Sequence, residues 1–134
     1  MTTTIRDVIG CGKPDAPAIG APGRPALTYG GLAALAERTV GDLNARGIGR
    51  GDRVAIVLPN GAEMATAFVA IATGATTAPL NPAYREDEFD FYLSDLKAKA
   101  LVVEAGSTSP ALGVAAKHGI AILEIEVPDG APAG

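Results

Sequence analysis

The side chains able to do chemistry in this sequence are few and scattered. His118 is the only histidine and Cys11 the only cysteine among 134 residues, so proton-transfer or thiol chemistry would have to be built on one of them. A nucleophile needs a base within hydrogen-bond reach and a third group to orient that base. No serine or cysteine is tied to His118 by position in the sequence. Its place before Gly119 suits a helix C-terminus, where an imidazolium interacts favourably with the helix dipole. Cys11 is equally unsupported, and a single cysteine excludes an intrachain disulfide or a cysteine-based zinc site.

Three other clusters invite a chemical reading. Gly47-Ile48-Gly49-Arg50-Gly51 has the glycine density of a phosphate loop, but such a loop follows a strand and opens a helix. These glycines end a helical pattern and precede a strand, so a tight connection is expected. Glu86, Asp87, Glu88 and Asp90 form an acidic run at a helix start, where negative charge complements the dipole without a metal. Arg46, Arg50 and Arg53 flank one turn and offer forks that match phosphate oxygens, against the simpler reading of solvated surface charge.

The elements that would position these groups follow from apolar spacing. Thr4 to Ile9 reads as a short helix with Ile5, Val8 and Ile9 on one side. Pro17–Gly20 and Ala26–Thr28 read as a hairpin about Ala21-Pro22-Gly23-Arg24. Thr28 caps a helix whose Leu32, Leu35, Ala36, Thr39 and Leu43 share a face. Val54 to Leu58 is apolar on both sides, as a buried parallel strand requires. A helix with Met64, Ala65, Phe68, Ile71 and Ala72 on one face leads to a strand over Thr76–Leu80. Glu86–Leu96 is a second crossover helix, striped by Phe89, Tyr92, Leu93 and Leu96, with Phe91 opposite. A strand over Ala100–Val103, a helix from Ser109 and Pro110 to Lys117, and a strand over Ile120–Ile125 complete an α/β pattern. The sheet is mainly parallel with crossover helices, plus the N-terminal β-hairpin. Residues 1–127 form this α/β unit, and 128–134 read as a linker-like tail.

Composition bounds the function classes. With 48% hydrophobic residues the chain can build one core. A net charge of −4 without a basic stripe argues against nucleic acid as a partner. No apolar run reaches the length of a membrane span or a signal h-region, and the sparse cysteine suits a reducing compartment; cytoplasmic location is expected. Only 4% of residues are aromatic and none is tryptophan, so the core rests on Ala, Val, Leu and Ile.

Two strings then carry a family likeness: Leu27-Thr28-Tyr29-Gly30-Gly31-Leu32, and Ala70-Ile71-Ala72-Thr73-Gly74-Ala75-Thr76-Thr77-Ala78-Pro79-Leu80-Asn81-Pro82. They resemble the first two core motifs of the adenylate-forming superfamily, and Gly47 to Ile56 between them is similar to that family's turn into its first long strand. The sequence thus resembles the N-terminal portion of an AMP-forming acyl-CoA synthetase, from about Thr4 to Ile125. Ala78 to Tyr84 and Glu88 to Asp95 look like the oxalate–CoA ligase branch. In one respect the chain departs from the pattern: Gly31 stands where a capping-box glutamate is usual, and with Gly30 this predicts a fraying helix start.

The resemblance implies a two-step activity for a full-length parent, in which a carboxylate and ATP give an acyl-adenylate and pyrophosphate, and coenzyme A then takes the acyl group. ATP, magnesium and coenzyme A are the implied cofactors and substrates. The family's Ser/Thr/Gly-rich phosphate loop ending in lysine, its adenine and ribose motifs and its C-terminal lysine are not among these residues. No catalytic, cofactor-binding or metal residue is therefore assigned here, and the chain alone is expected to be inactive. Its expected partners are the remainder of the synthetase chain and further copies of itself, through apolar surface left uncovered. Two alternatives stand beside this reading: a standalone non-catalytic α/β interaction or ligand-binding module, and a flavodoxin-like cofactor domain, for which Pro59-Asn60-Gly61 is too short a phosphate loop.

Overall fold

The computed structural model describes residues 3–134. Thr4 opens helix α1 (Ile5–Gly10) with a reciprocal cap: its Oγ1 accepts the Asp7 N–H at 3.2 Å, and the Asp7 carboxylate accepts the Thr4 N–H at 2.8 Å. Only Ile9 of the expected apolar side is buried, whereas Ile5 and Val8 are exposed. A helix of six residues is too short to present a full stripe. Its single inward residue joins Leu27 and Leu32 in a small cluster beneath the hairpin.

That hairpin pairs β1 (Pro17–Ala21) with β2 (Arg24–Thr28), and Gly23 supplies the left-handed turn residue at φ +71°. Thr28 then caps α2 (Tyr29–Ala45), its Oγ1 accepting the Gly31 N–H at 3.1 Å. At Gly30 and Gly31, where fraying is predicted, the first turn is helical and its donors are bonded. The Tyr29 N–H donates to the Ala16 carbonyl (3.0 Å) and the Gly30 N–H to that of Pro14 (2.9 Å), so the preceding loop satisfies the free donors. Gly12 belongs to the same arrangement, because a Cβ there would lie 2.3 Å from the Tyr29 ring.

The remainder alternates strictly: β3 (Arg53–Val57), α3 (Ala62–Ala72), β4 (Thr76–Pro79), α4 (Glu86–Leu96), β5 (Ala100–Glu104), α5 (Ala111–Lys117) and β6 (Ala121–Ile125). The four strands pair in parallel in the order β4-β3-β5-β6. Because side chains alternate along a strand, Val54, Ile56, Ala100 and Val102 face Leu43 of α2 and Ile71 of α3. Ala55, Val57, Leu101 and Val103 face the other way, onto Phe89 and Leu93 of α4 and Val114 of α5. The sheet is therefore covered on both faces, which is why its strands read as continuous apolar runs.

The buried face of α3 differs from the one expected. Ala62, Thr66, Ala70 and Ile71 point inward, while Ala65 and Phe68 are exposed. α3 lies against α2 and the hairpin as well as the sheet, and small side chains four residues apart permit that close approach. At α5 the Ser109 hydroxyl accepts the Ala111 N–H (3.2 Å) around a helical Pro110, the start expected. Residues 128–134 form no helix or strand, yet they are not a free linker. The Ala133 N–H donates to the Pro25 carbonyl at 2.8 Å, Arg24 Nη2 donates to the Pro132 carbonyl at 2.8 Å, and Ala133 is fully buried.

Candidate functional site

The topology nominates one place for a ligand. β3 leads into α3 on one face of the sheet and its neighbour β5 leads into α5 on the other, so the winding switches between them. In open α/β sheets ligands favour the crevice beyond the carboxyl ends of the strands at such a point. Here Leu58, Pro59 and Asn60 after β3, and Glu104 and Ala105 after β5, border a crevice of about 410 Å³.

Its chemistry does not suit a nucleotide phosphate. Among the described residues, the ionisable groups lining it are the carboxylates Glu63, Glu104 and Glu126, and neither a cation nor a hydroxyl lines it. Glu63 is engaged by Arg24, whose hydrogen bond holds the carboxyl below its ordinary value. α3 begins at Gly61 without a side-chain cap, but an anion at that helix start would face these carboxylates at close range. Among the described residues no three His, Cys, Asp or Glu side chains converge as a metal site.

The sequence-nominated residues are dispersed by the fold. Gly47 and Gly51 take positive φ (75° and 88°), and the Gly49 N–H donates to Asp52 Oδ2 at 2.9 Å in the turn entering β3. This hydrogen bond, reinforced by Lys99 at 3.3 Å, holds the Asp52 carboxyl below its ordinary value. The glycine cluster is thus a connection. Arg53 leaves the proposed phosphate spot: its Nε donates to the Leu96 carbonyl (2.6 Å), closing the end of α4, and its Nη1 to the Gly51 carbonyl (3.2 Å). Glu88 accepts the Arg85 N–H at 2.8 Å and so serves the start of α4, whereas Asp90 of the same run turns to the end of α5. Cys11 is exposed, its Sγ 3.3 Å from the Asp7 carbonyl.

His118 acquires neighbours that its sequence position did not suggest. Its Nε2 lies 2.6 Å from Asp90 Oδ1 and 3.2 Å from Ser94 Oγ, and Lys117 Nζ reaches the same Asp90 oxygen at 3.1 Å. Asp90 is held below its ordinary value by His118 first and Lys117 second. Serine, histidine and aspartate are thus together, but both partners meet the same ring nitrogen. A relay needs the acid on one nitrogen and the nucleophile on the other. The cluster is a polar clasp between α4 and the end of α5. Its members lie 24 and 28 residues apart, and only a helix-on-helix packing argument could have found it.

A second concavity, of about 420 Å³, lies between α2, α3 and β6, with Leu35, Leu43, Ile71, Leu123 and Ile125 in its lining. Thr66 also borders it, and its hydroxyl has no hydrogen-bond partner among the described residues at 4% exposure.

The parallel sheet, its helices on both faces and the leading hairpin define an α/β scaffold of the adenylate-forming type. The chain matches the AMP-binding enzyme family over residues 10–131 and belongs to that family. It is 41% identical to the oxalate–CoA ligase of Arabidopsis thaliana over 106 residues, 78% of this chain and 21% of the relative. It is 39% identical over 82 residues to the long-chain-fatty-acid–CoA ligase FadD13 of Mycobacterium tuberculosis, 60% of this chain and 16% of that protein. Among solved structures it is similar to ATP-bound MatB of Rhodopseudomonas palustris, with a TM-score of 0.79 and 29% identity over 99% of this chain and 27% of that one. The chain spans about a fifth of the length of curated relatives such as the Arabidopsis ligase.

Proposed function

We propose that this chain is the N-terminal scaffold of an ATP-dependent acid–CoA ligase that forms an acyl-adenylate and then an acyl-CoA, and that it does not itself bind the nucleotide. The observation that supports this most is the family match over residues 10–131, set beside a switch-point crevice whose ionisable lining is carboxylate. The scaffold has the family's form, while the groups that would hold ATP, magnesium and coenzyme A belong to segments outside these residues.

In this role the chain's residues build and hold a frame. β3 and β5 form the centre of the sheet, and Arg53 ties the end of α4 to the entry of β3. Arg24 joins the hairpin to α3 and to the 128–134 segment. A small dicarboxylate is the substrate class we favour, since the similarity to the Arabidopsis ligase, whose name specifies oxalate, covers more of this chain than that to the fatty-acid ligase.

Two measurements test the proposal. Calorimetry on the 134-residue chain should give no heat of ATP binding, and a micromolar dissociation constant would overturn the scaffold reading. Pyrophosphate exchange by a longer protein carrying this chain should proceed with oxalate or malonate in preference to long-chain fatty acids. The reverse order would remove the dicarboxylate assignment and keep the ligase.

A further inference from the structure

The chain has three phenylalanines and three tyrosines, and four of these six rings meet around α4. Tyr84, just before the helix, stacks on Tyr92 at a centroid distance of 5.1 Å and an interplanar angle of 13°, and meets Phe89 edge-on at 5.8 Å. Phe91 meets Tyr92 edge-on at 5.3 Å. Phe89 belongs to the core. Phe91 is 63% exposed, the most of any large apolar side chain among the described residues, and Tyr92 is 36% exposed. Single apolar side chains scattered over a surface need no explanation, whereas contiguous ones mark an interaction site. The helix turns Phe89 and Leu93 to the sheet, so Phe91 stands on the side that the chain leaves open.

The charges around these rings are mainly of one sign. Asp87 and Asp95 lie four positions before and after Phe91, and Glu88 lies four before Tyr92, which makes them side-chain neighbours on a helix. Asp90 is spent on His118 and Lys117. No Lys or Arg occurs between Glu86 and Leu96, and Arg85 and Lys97 stand at the two ends. Arg85 lies 3.9 Å from Asp87 with both side chains largely in solvent. Asp95 is exposed and has no ion-pair partner among the described residues.

Rings beside free carboxylates select a cation, and a guanidinium suits both, since its planar group stacks on an aromatic face and donates to a carboxylate. A membrane surface is a poor match, because its anionic headgroups would face Asp87, Glu88 and Asp95. A second copy is disfavoured too, as it adds another chain of net charge −4.

We propose that the exposed face of α4, centred on Phe91 and Tyr92, docks an arginine-bearing segment of another protein, whose guanidinium stacks on the Phe91 ring and pairs with Asp95. This role goes beyond the scaffold reading and does not depend on ligase activity.

A fluorescein-labelled peptide alternating arginine and glycine, read by fluorescence anisotropy, tests it on the 134-residue chain and on a longer protein carrying that chain. The peptide should bind both. Phe91→Ala should weaken binding about fivefold or more, and Asp95→Asn about threefold, with the Asp95 effect fading as salt is raised. Both side chains are exposed, so neither variant removes core packing. Phe68→Ala, which deletes an exposed ring on α3, should leave binding unchanged. Equal binding of a peptide with citrulline in place of arginine, no effect of Phe91→Ala, or an equal loss in Phe68→Ala would overturn the proposal. Binding by the 134-residue chain but not by the longer protein would also overturn it, because the ligase's own residues would then cover the face. Co-sedimentation with phosphatidylserine vesicles, or self-association without peptide, that Phe91→Ala abolishes would replace the arginine segment by a membrane or a second copy.

Discussion

The centre of the parallel sheet and its β6 edge are built to different degrees of completion. At the centre both faces are closed. Phe89, Leu93, Leu101, Val103 and Val114 on the α4 and α5 face are each at most 2% exposed, and Val54, Ile56 and Val102 on the α2 and α3 face are equally buried. At β6 the cover thins on both faces. Ile122 and Glu124, in register with Leu101 and Val103, are exposed on the α4 and α5 side, and Leu123 and Ile125 are half-buried above the groove on the other. A strand between two neighbours is buried by both, whereas an edge strand has only one.

The largest expected effect lies at the centre of the sheet. Leu101→Ala should cost about 2–5 kcal/mol in urea denaturation, since the cavity cannot collapse among fully buried neighbours. Leu123→Ala, on the edge strand, should cost about 1 kcal/mol or less. Equal losses would erase the distinction between centre and edge. Next comes Gly12→Ala, which drives a Cβ into the Tyr29 ring and should cost about 1–3 kcal/mol by strain, with the hairpin and α2 losing amide protection before β3 and β5.

Smaller effects sharpen the comparison at its edges. Arg24→Ala should release the 128–134 segment, seen as fast exchange of the Ala133 N–H, at a global cost under about 1 kcal/mol for a partly exposed pair. An unchanged Ala133 amide would mean that burial of Ala133 alone holds the segment. The α4 and α5 face also carries an acid-sensitive element. His118 and Lys117 lower the Asp90 carboxyl below its ordinary value of 3.8, so the folded state binds this proton more weakly than the unfolded chain does. The stabilisation is present above the ordinary value and is lost as pH falls through the lowered one. Asp90→Asn should therefore be destabilising near neutral pH, with the difference from the parent chain closing as the solution is acidified below that range. A pH-independent difference would mean that the α4–α5 clasp does not depend on the Asp90 charge.

Much of the fold was legible because its signals are local. Val54 to Leu58 reads as a doubly covered strand from composition alone, Thr28 as a cap from its hydroxyl, and Gly47 as a stop from its tolerance of positive φ. The motif strings around Thr28 and Ala78 placed the chain in its family for a different reason, since they record ancestry. What could not be read was any feature decided by which neighbour an element meets. The α3 stripe was misassigned because periodicity gives a helix face but not the partner it faces, and the nearness of α2 and the hairpin selected the small residues Ala62, Thr66 and Ala70 over Phe68. The start of α2 was expected to fray because helix propensity does not include the Pro14 and Ala16 carbonyls that hold it.

By itself the sequence determined the order of elements, the family and the want of nucleotide-binding motifs, because apolar period, turn chemistry and motif identity are properties of neighbouring residues. Only the tertiary structure decided that Arg53 is spent on the end of α4, that His118 meets Asp90 and Ser94 on one nitrogen, and that the sheet is closed at its centre and thinly covered at β6. Those outcomes depend on groups tens of residues apart being brought within hydrogen-bond or van der Waals distance, and the packing of helices across the sheet sets those distances.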